Sequence, residues 1–240
     1  MITADRTIVL IPTYNEVENI GITIDQVFAV DPHLSIMVLD DASPDGTAAA
    51  VEAKQKMYPL LQLIRRTKDK GFARSYIDGF MRVRRENMHD LIITMDADFS
   101  HEPREIPALI SAMNAGADMV VGSRYVAKQR FTGVTLWRRG LSRLANRYVQ
   151  SILRIPVTDC TSGFIAFRTM LIERLTLDSI CTDGYGFLFG LKYQAAHVGA
   201  RIAEHPVRWP DRHLGASKMT LKRILESLVL PWKIRCKREG

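Results

Sequence analysis

Through the first half of the chain, short apolar runs alternate with longer segments whose apolar residues recur at helical spacing. Thr7-Ile8-Val9-Leu10-Ile11 reads as a fully buried strand. A helix is expected from about Glu16 to Val30, with Val17, Ile20, Ile24, Val27 and Phe28 along one face. Ser35 to Leu39 is a second strand, and a helix to about Met57 follows, with Ser43 as N-cap and Pro44 at its first position. Leu60 to Arg65 is a third strand, and Lys70-Gly71-Phe72 opens a helix ending near Asn87. A fourth strand begins at Leu91, a helix runs from Pro103 to Ala115 with Gly116 closing it, and a fifth strand spans Asp118 to Gly122. Strand and helix thus alternate through residue 123, which predicts an α/β fold with a mostly parallel, doubly wound sheet flanked by helices.

The second half is less regular. Leu136 to Leu153 reads as a helix with arginines on one flank, and Val157 to Phe167 as a turn into a strand. Gly184-Tyr185-Gly186-Phe187 opens a helix to about His197, and Arg201 to Val207 is a strand. Lys218 to Trp232 has the pattern of an amphipathic helix, with Leu221, Ile224, Leu225, Leu228 and Val229 on one face and Pro231 expected to end or kink it. With Trp232 and the basic residues Lys233, Arg235, Lys237 and Arg238, this tail has the composition of a membrane-surface element; the alternative is a helix docked on its own core.

Composition adds little until charge is placed along the chain. At 240 residues, 47% hydrophobic and 25% charged, the chain suits one large α/β domain or two small ones. Cys160, Cys181 and Cys236 have neither disulfide-framework nor zinc spacing, which favours a reducing compartment. The apolar run Ile8 to Ile11 is too short for a signal peptide, and no apolar segment reaches membrane-spanning length, so a soluble or peripheral protein is expected. The net charge of +7 is unevenly distributed. Met119 to Thr158 holds no acid but contains Arg124, Lys128, Arg130, Arg138, Arg139, Arg143, Arg147 and Arg154, a bias that suits an anionic partner.

The acids concentrate where predicted strands end. Asp96 and Asp98 follow the strand that begins at Leu91, and Asp40 and Asp41 follow the second strand. Ligands of open α/β sheets bind at the carboxyl ends of strands. Two carboxylates one residue apart can hold a divalent cation, and such a cation neutralises phosphate; capping or turn formation is the plainer use of an isolated Asp-x-Asp. The chain has no Gly-x-Gly-x-x-Gly after its first strand and no Gly-Lys-Ser/Thr loop, which disfavours dinucleotide oxidoreductases and P-loop NTPases.

Five stretches together carry a family resemblance: Ile11-Pro12-Thr13-Tyr14-Asn15-Glu16, Asp40-Asp41-Ala42-Ser43-Pro44-Asp45-Gly46-Thr47, Asp96-Ala97-Asp98, Gly122-Ser123-Arg124-Tyr125 and Ser162-Gly163-Phe164. In order and spacing the set resembles the family-2 glycosyltransferases of the GT-A (Rossmann-like) fold. Ser43-Pro44-Asp45-Gly46-Thr47, Ser100-His101 and Gly122-Ser123-Arg124-Tyr125 resemble the dolichol-phosphate (polyprenol-phosphate) mannose synthase type.

The resemblance implies roles. Pro12, Tyr14, Glu16, Leu39 and Asp41 would form the donor site, with Asp41 accepting hydrogen bonds from the base and Asp40 an equal candidate for the structural member of the pair. Asp96 and Asp98 would hold the nucleotide diphosphate through Mg²⁺ or Mn²⁺, Ser100 being too weak a ligand to join them. Arg124, Arg138, Ser142, Arg212 and Lys218 would grip the acceptor phosphate, a task suited to the arginine fork. Asp96, Asp98 and Arg124 would be the catalytic set, and Asp159 structural. The implied reaction is an inverting transfer of mannose from GDP-mannose to a polyprenyl phosphate, whose anionic oxygen attacks without a strong base. Residues 1–217 would form the catalytic domain, as a nucleotide-binding half (1–123) and an acceptor-binding half (124–217), with 218–240 as a basic tail. Many relatives carry C-terminal transmembrane helices; this chain would instead reach its lipid through the tail, the apolar side of the Leu136–Leu153 helix or a membrane-anchoring subunit. It would work as a peripheral protein at the cytoplasmic face of a membrane, with no nucleic-acid partner. UDP-glucose or another nucleotide sugar as donor, and a non-catalytic membrane- or nucleic-acid-binding module, are the alternatives.

Overall fold

The computed structural model describes residues 1–126, 136–180, 185–208 and 221–236, the side chains of 136–139, 185 and 221–227 excepted. In chain order the elements are β1 (Thr7–Thr13), α1 (Val17–Val30), β2 (Ser35–Asp40), α2 (Thr47–Gln55), β3 (Leu61–Arg65), α3 (Phe72–Glu86) and β4 (Leu91–Thr94). A 3-10 turn (Pro103–Glu105) leads into α4 (Ile106–Asn114), followed by β5 (Met119–Ser123), α5 (Leu136–Leu153), β6 (Ile165–Arg168), α6 (Thr169–Ile172), α7 (Tyr185–His197), β7 (Ile202–Pro206) and α8 (Leu221–Cys236).

The strands form one seven-stranded sheet in the order β3-β2-β1-β4-β6-β5-β7. All neighbours are parallel except β6, which runs antiparallel to both β4 and β5. Alternate residues of each strand face opposite layers. Ile8, Leu10, Met37, Leu39 and Ile92 pack with Tyr76 and Phe80 of α3, Ile152 of α5 and Phe187 of α7. Val9, Ile11, Ile36, Val38 and Ile93 pack with Ile20 and Ile24 of α1 and Leu109 of α4. The reversal of β6 positions the site: its N-terminal end, and the turn before it, lie at the edge where the parallel strands finish.

Two local expectations are corrected. Ser43 and Pro44 do not start α2, which begins at Thr47 after Gly46 in the left-handed region (φ +96°). Ser43 donates instead to Asp40 Oδ1 (2.6 Å) and accepts the N–H of Asn15 (3.0 Å), tying the loop after β2 to the loop after β1. Asp45 satisfies both helix starts, accepting from the N–H of Thr47 (2.9 Å) and of Val17 (3.0 Å). Burial opposes its charge, but these bonds and that of the Thr47 hydroxyl hold the Asp45 carboxyl below its ordinary range.

The second correction is to Pro231 as a helix stop: of the two outcomes expected, an end or a kink, the end does not occur, and the proline lies inside α8. Here packing outweighs the cost of a helical proline, about 3 kcal/mol. Pro231 is buried, Trp232 Nε1 donates to the Tyr148 hydroxyl (3.1 Å), that hydroxyl donates to Leu228 O (2.7 Å), and Arg235 Nη1 donates to Ile152 O (2.9 Å). The C-terminal helix is therefore docked on α5, with Leu228, Val229 and Trp232 still largely exposed. Among the described residues, no helix is long and apolar enough to cross a membrane.

Gly79 lets α3 sit close on the sheet: a Cβ there would come 2.8 Å from Leu39 Cδ1 and 3.0 Å from Leu10 Cδ1. Overpacking a filled core costs roughly 1–3 kcal/mol, and the helix-propensity gain of alanine over glycine returns about 1. Gly79→Ala is thus expected to lower stability by about 1 kcal/mol, read as a lower urea midpoint with an unchanged slope; a raised midpoint would refute the close-approach argument.

Candidate active site

The loops after β1, β2 and β4 meet at the carboxyl edge of the sheet. Each holds one non-glycine residue in the left-handed region: Asn15 (φ +59°), Ala42 (φ +54°) and Phe99 (φ +59°). Asparagine adopts it readily, whereas alanine and phenylalanine there cost about 1–2 kcal/mol each. Such strain concentrates where loops are shaped for a ligand.

On the donor side, Pro12 lies one residue before the end of β1, in register with Leu39. Tyr14 is exposed, and Glu16 is half-buried, its Oε2 accepting from Asn19 Nδ2 (2.8 Å). Leu39 has a fully buried side chain packed in the core, so that side chain cannot meet a ligand while the core is closed. The paired aspartates divide their work. Asp40 accepts from Thr13 Oγ1 (3.1 Å) and Ser43 and is internal. Asp41 accepts the N–H of Gly71 (2.7 Å) on Oδ2, and Arg66 and Ser75 (3.1 Å) on Oδ1. A carboxylate oxygen can accept two bonds, so Asp41 Oδ2 keeps capacity for one further donor. Arg66, which the sequence did not single out, is buried and orients Asp41 while also bonding Asp69 O (2.7 Å).

The metal candidates lie just beyond β4. Asp96 and Asp98 are half-buried, and Asp98 Oδ1 accepts the Ser100 N–H (3.1 Å). The loop is anchored from α1, where Thr23 Oγ1 donates to Ala97 O (3.1 Å), and by His101, whose Nδ1 accepts the Asp96 N–H (2.9 Å). With Nδ1 an acceptor, a neutral His101 carries its proton on Nε2, 4.0 Å from Asp96 Oδ2. The ring stacks on Phe164 (centroids 5.1 Å apart), which joins this loop to the turn before β6. Tyr76 lies beneath: its hydroxyl is buried, and burial together with the charges of Asp96 and Asp98 pushes its pKa well above the ordinary value.

Among the described residues, no group of three His, Cys, Asp or Glu side chains could hold a metal by itself. Two accessible carboxylates at a strand end fit a cation that completes its oxygen shell from substrate phosphates and water, as Mg²⁺ ordinarily does. The donor set is hard oxygen, suited to Mg²⁺ or Mn²⁺.

Arg124 stands at the end of β5. Its guanidinium forks onto Asp159, with Nε to Oδ2 at 2.8 Å and Nη2 to Oδ1 at 2.7 Å, and its own N–H also bonds Oδ2 (3.0 Å). Burial opposes the charge of Asp159, but the Arg124 guanidinium holds its carboxyl below the usual range. Asp159 thus orients the arginine that the resemblance assigns to the acceptor. Ser142 lies 2.6 Å, Oγ to hydroxyl, from Tyr125. The side chain of Arg138, and all of Arg212 and Lys218, fall outside the described residues. Two further polar side chains support this corner. Asn146 accepts the N–H of Cys160 (2.7 Å) and of Thr161 (3.3 Å), and Lys192 lies fully buried under the same turn. Both are polar positions on apolar helix faces, the one sequence signal that could have found them.

Acidic loops at one edge of an open, mostly parallel sheet, with an arginine following β5 on the other side of the reversed β6, have the arrangement of a GT-A type transferase. The chain belongs to glycosyl transferase family 2, whose family pattern matches residues 8–176. It is 37% identical over 238 residues to the polyprenol monophosphomannose synthase of Mycolicibacterium smegmatis, covering 96% of this chain and 88% of that protein. Among solved structures, glucosyl-3-phosphoglycerate synthase from Mycobacterium tuberculosis, in complex with Mn²⁺, UDP and phosphoglyceric acid, shares the fold with a TM-score of 0.72 at 18% identity, over 98% of this chain and 78% of that one. A mannosyltransferase from Pyrobaculum calidifontis in complex with GDP-Man and Mn²⁺ superposes with a TM-score of 0.67 at 22% identity, over 98% of this chain and 65% of that one.

Proposed function

We propose that this glycosyltransferase moves mannose from GDP-mannose to the phosphate of a polyprenyl phosphate, inverting the anomeric carbon, with a divalent cation on the donor diphosphate. The observation that carries this reading is the near-full-length similarity to a polyprenol monophosphomannose synthase, which accompanies an intact Asp96/Asp98 pair at the end of β4. Asp96 and Asp98 would hold the cation, which would supply charge stabilisation to the departing nucleoside diphosphate. Asp41 supplies an acceptor to the base, and Pro12, Tyr14 and Glu16 line the donor pocket. Arg124, with Arg138, Ser142, Arg212 and Lys218, holds the acceptor phosphate. That oxygen is already anionic at neutral pH, so positioning and charge compensation replace a general base.

The lipid approaches along α5 and α8. Leu141, Leu144, Leu228, Val229 and Trp232 are exposed there, with the exposed cations Arg143, Arg147 and Lys233 among them, a combination suited to an anionic membrane surface. The enzyme works as a peripheral protein at the cytoplasmic face.

A transfer assay tests the reading. Purified protein with Mn²⁺ or Mg²⁺ and a short-chain polyprenyl phosphate is given GDP-mannose or, separately, UDP-glucose. Lipid-linked mannose from GDP-mannose alone, abolished by EDTA, is expected. Product only from UDP-glucose would replace the donor, and product from neither would overturn the reading.

A further inference from the structure

Lys192 is a polar residue that neither the fold nor the proposed chemistry requires at first sight. It sits on α7 among Phe187, Phe189 and Leu191, and its side chain is wholly removed from solvent. An isolated buried ammonium is among the most costly groups a core can hold. Among the described residues, no carboxylate oxygen lies within ion-pair distance of it. Its two hydrogen bonds go to main-chain carbonyls instead: Nζ to Cys160 O at 3.0 Å and to Ser162 O at 2.7 Å.

Those carbonyls belong to the turn that joins both halves of the site. Asp159, one residue before Cys160, holds the Arg124 fork, and Ser162 donates its own N–H to Asp159 Oδ1 (3.1 Å). Gly163, one residue after Ser162, donates no side chain but brings its backbone beside the metal loop: a Cβ there would lie 3.8 Å from Asp96 Oδ2 and 3.5 Å from His101 Cε1. Its carbonyl accepts from Thr94 Oγ1 (2.7 Å), at the end of β4. Lys192 therefore pins one turn with Arg124 on one side and Asp96 on the other.

Charge gives a second role. Asp159 alone would neutralise Arg124. Arg124 and Asp159 balance each other, and protonated Lys192 balances Glu204, so that without the buried cation the four-residue cluster would carry a net charge of about −1. The charged and titratable groups around Lys192 are Asp159 and Cys160 on the turn, Arg124 beyond β5, and Glu204 on β7, which itself accepts the N–H of Thr158 (2.8 Å) and of Asp159 (3.0 Å).

We propose that Lys192 is a positioning residue for the transfer: it holds the Cys160–Gly163 turn against the metal loop and keeps the cluster of Arg124, Asp159 and Glu204 from being net negative toward an anionic acceptor. The inference rests on the acceptor role given to Arg124 above. Burial lowers the Lys192 pKa to about 8, so the charge it supplies is present at neutral pH and lost in mildly alkaline solution.

The test is acceptor binding, measured by calorimetry with a short-chain polyprenyl phosphate at pH 7 and pH 9, beside donor-nucleotide binding and the transfer rate. In the wild type, acceptor affinity is expected to fall on the order of tenfold between the two pH values, the effect of one unit charge acting through a partly polar interior. Lys192→Met should be weak at both pH values by a similar factor and lose the alkaline limb, with donor affinity reduced clearly less than acceptor affinity. Wild-type acceptor affinity in Lys192→Met, an alkaline limb that survives the substitution, or equal weakening of donor and acceptor would each overturn the proposal. If the variant does not fold, a flat wild-type profile overturns it and an alkaline limb supports it. Acceptor binding without transfer, still sensitive to Lys192→Met, would sink the transfer reading and support the role of Lys192. No acceptor binding by the wild type would overturn both.

Discussion

Asp96→Ala is expected to reduce mannosyl transfer by at least about 10³-fold, because under the proposed function a cation held by Asp96 and Asp98 would contribute several kcal/mol to stabilising the leaving diphosphate. Asp96 is half-buried at the end of β4, and its backbone N–H, which bonds His101, survives the substitution. The loop should therefore keep its shape, and the melting temperature should move little. Two measurements separate chemistry from folding: transfer rate under saturating donor, and Mn²⁺ binding in the presence of GDP followed by calorimetry. Both should be lost together. Near-wild-type transfer by the variant, or transfer by the wild type that persists in EDTA, would show that the carboxylate pair does not carry a metal in this enzyme.

Asp159→Ala should produce the largest loss of stability. The carboxylate is fully buried and receives Arg124 through three hydrogen bonds, with Thr161 and Ser162 adding two more. Removing it takes the forked partner from Arg124 and the largest favourable charge from Lys192. Breaking a buried ion pair from one side costs about 3–5 kcal/mol, a large part of the 5–15 kcal/mol typical of a folded domain. Urea unfolding measures this as a lowered midpoint. Lys192→Met should cost less than Asp159→Ala: it removes a costly buried charge, which offsets part of the loss incurred by leaving the carbonyls of Cys160 and Ser162 without their donor. Equal losses in the two variants would argue against the charge-burial account.

The pH dependence has a definite sign for each group. The pKa of Asp159 is lowered by folding, so its contribution is present above the ordinary carboxylate range and disappears as pH falls through the folded value. The pKa of Lys192 is also lowered, to about 8, but lysine is charged when protonated. The unfolded chain then binds the extra proton between about 8 and the ordinary lysine value, and stability rises with pH across that window. Lys192→Met should remove that rise.

Periodicity located most elements of the first half because β1, β2, β4 and β5 are buried nearly throughout, with only the edge strand β3 partly exposed, and because α1 and α3 each bury one apolar stripe. α1, α3 and β1 to β5 lie within a few residues of their expected bounds. The Asp96/Asp98 pair was legible for the same reason: an apolar run that stops at two acids must end its strand there. Local chemistry misled where a tertiary partner competed. Ser43 and Pro44 have the form of a helix start, yet the Ser43 hydroxyl binds Asp40 and accepts from Asn15 across the loop. Pro231 has the form of a stop, yet the contacts of Trp232 and Arg235 with α5 carry the helix past it.

What the amino-acid sequence determined by itself is the order of strands and helices, the acids at strand ends and the acid-free basic stretch, because all three are properties of near neighbours along the chain. The tertiary structure alone decided that β6 is reversed, and therefore that a turn some sixty residues beyond Asp96 returns to its side. It likewise decided that Asp159 orients Arg124, that Arg66 orients Asp41 and that Lys192 is buried beneath the turn at Cys160 and Ser162. Each pairing joins residues 25 to 35 positions apart. The energy of such a contact depends on removing both partners from water together, which only the folded chain does.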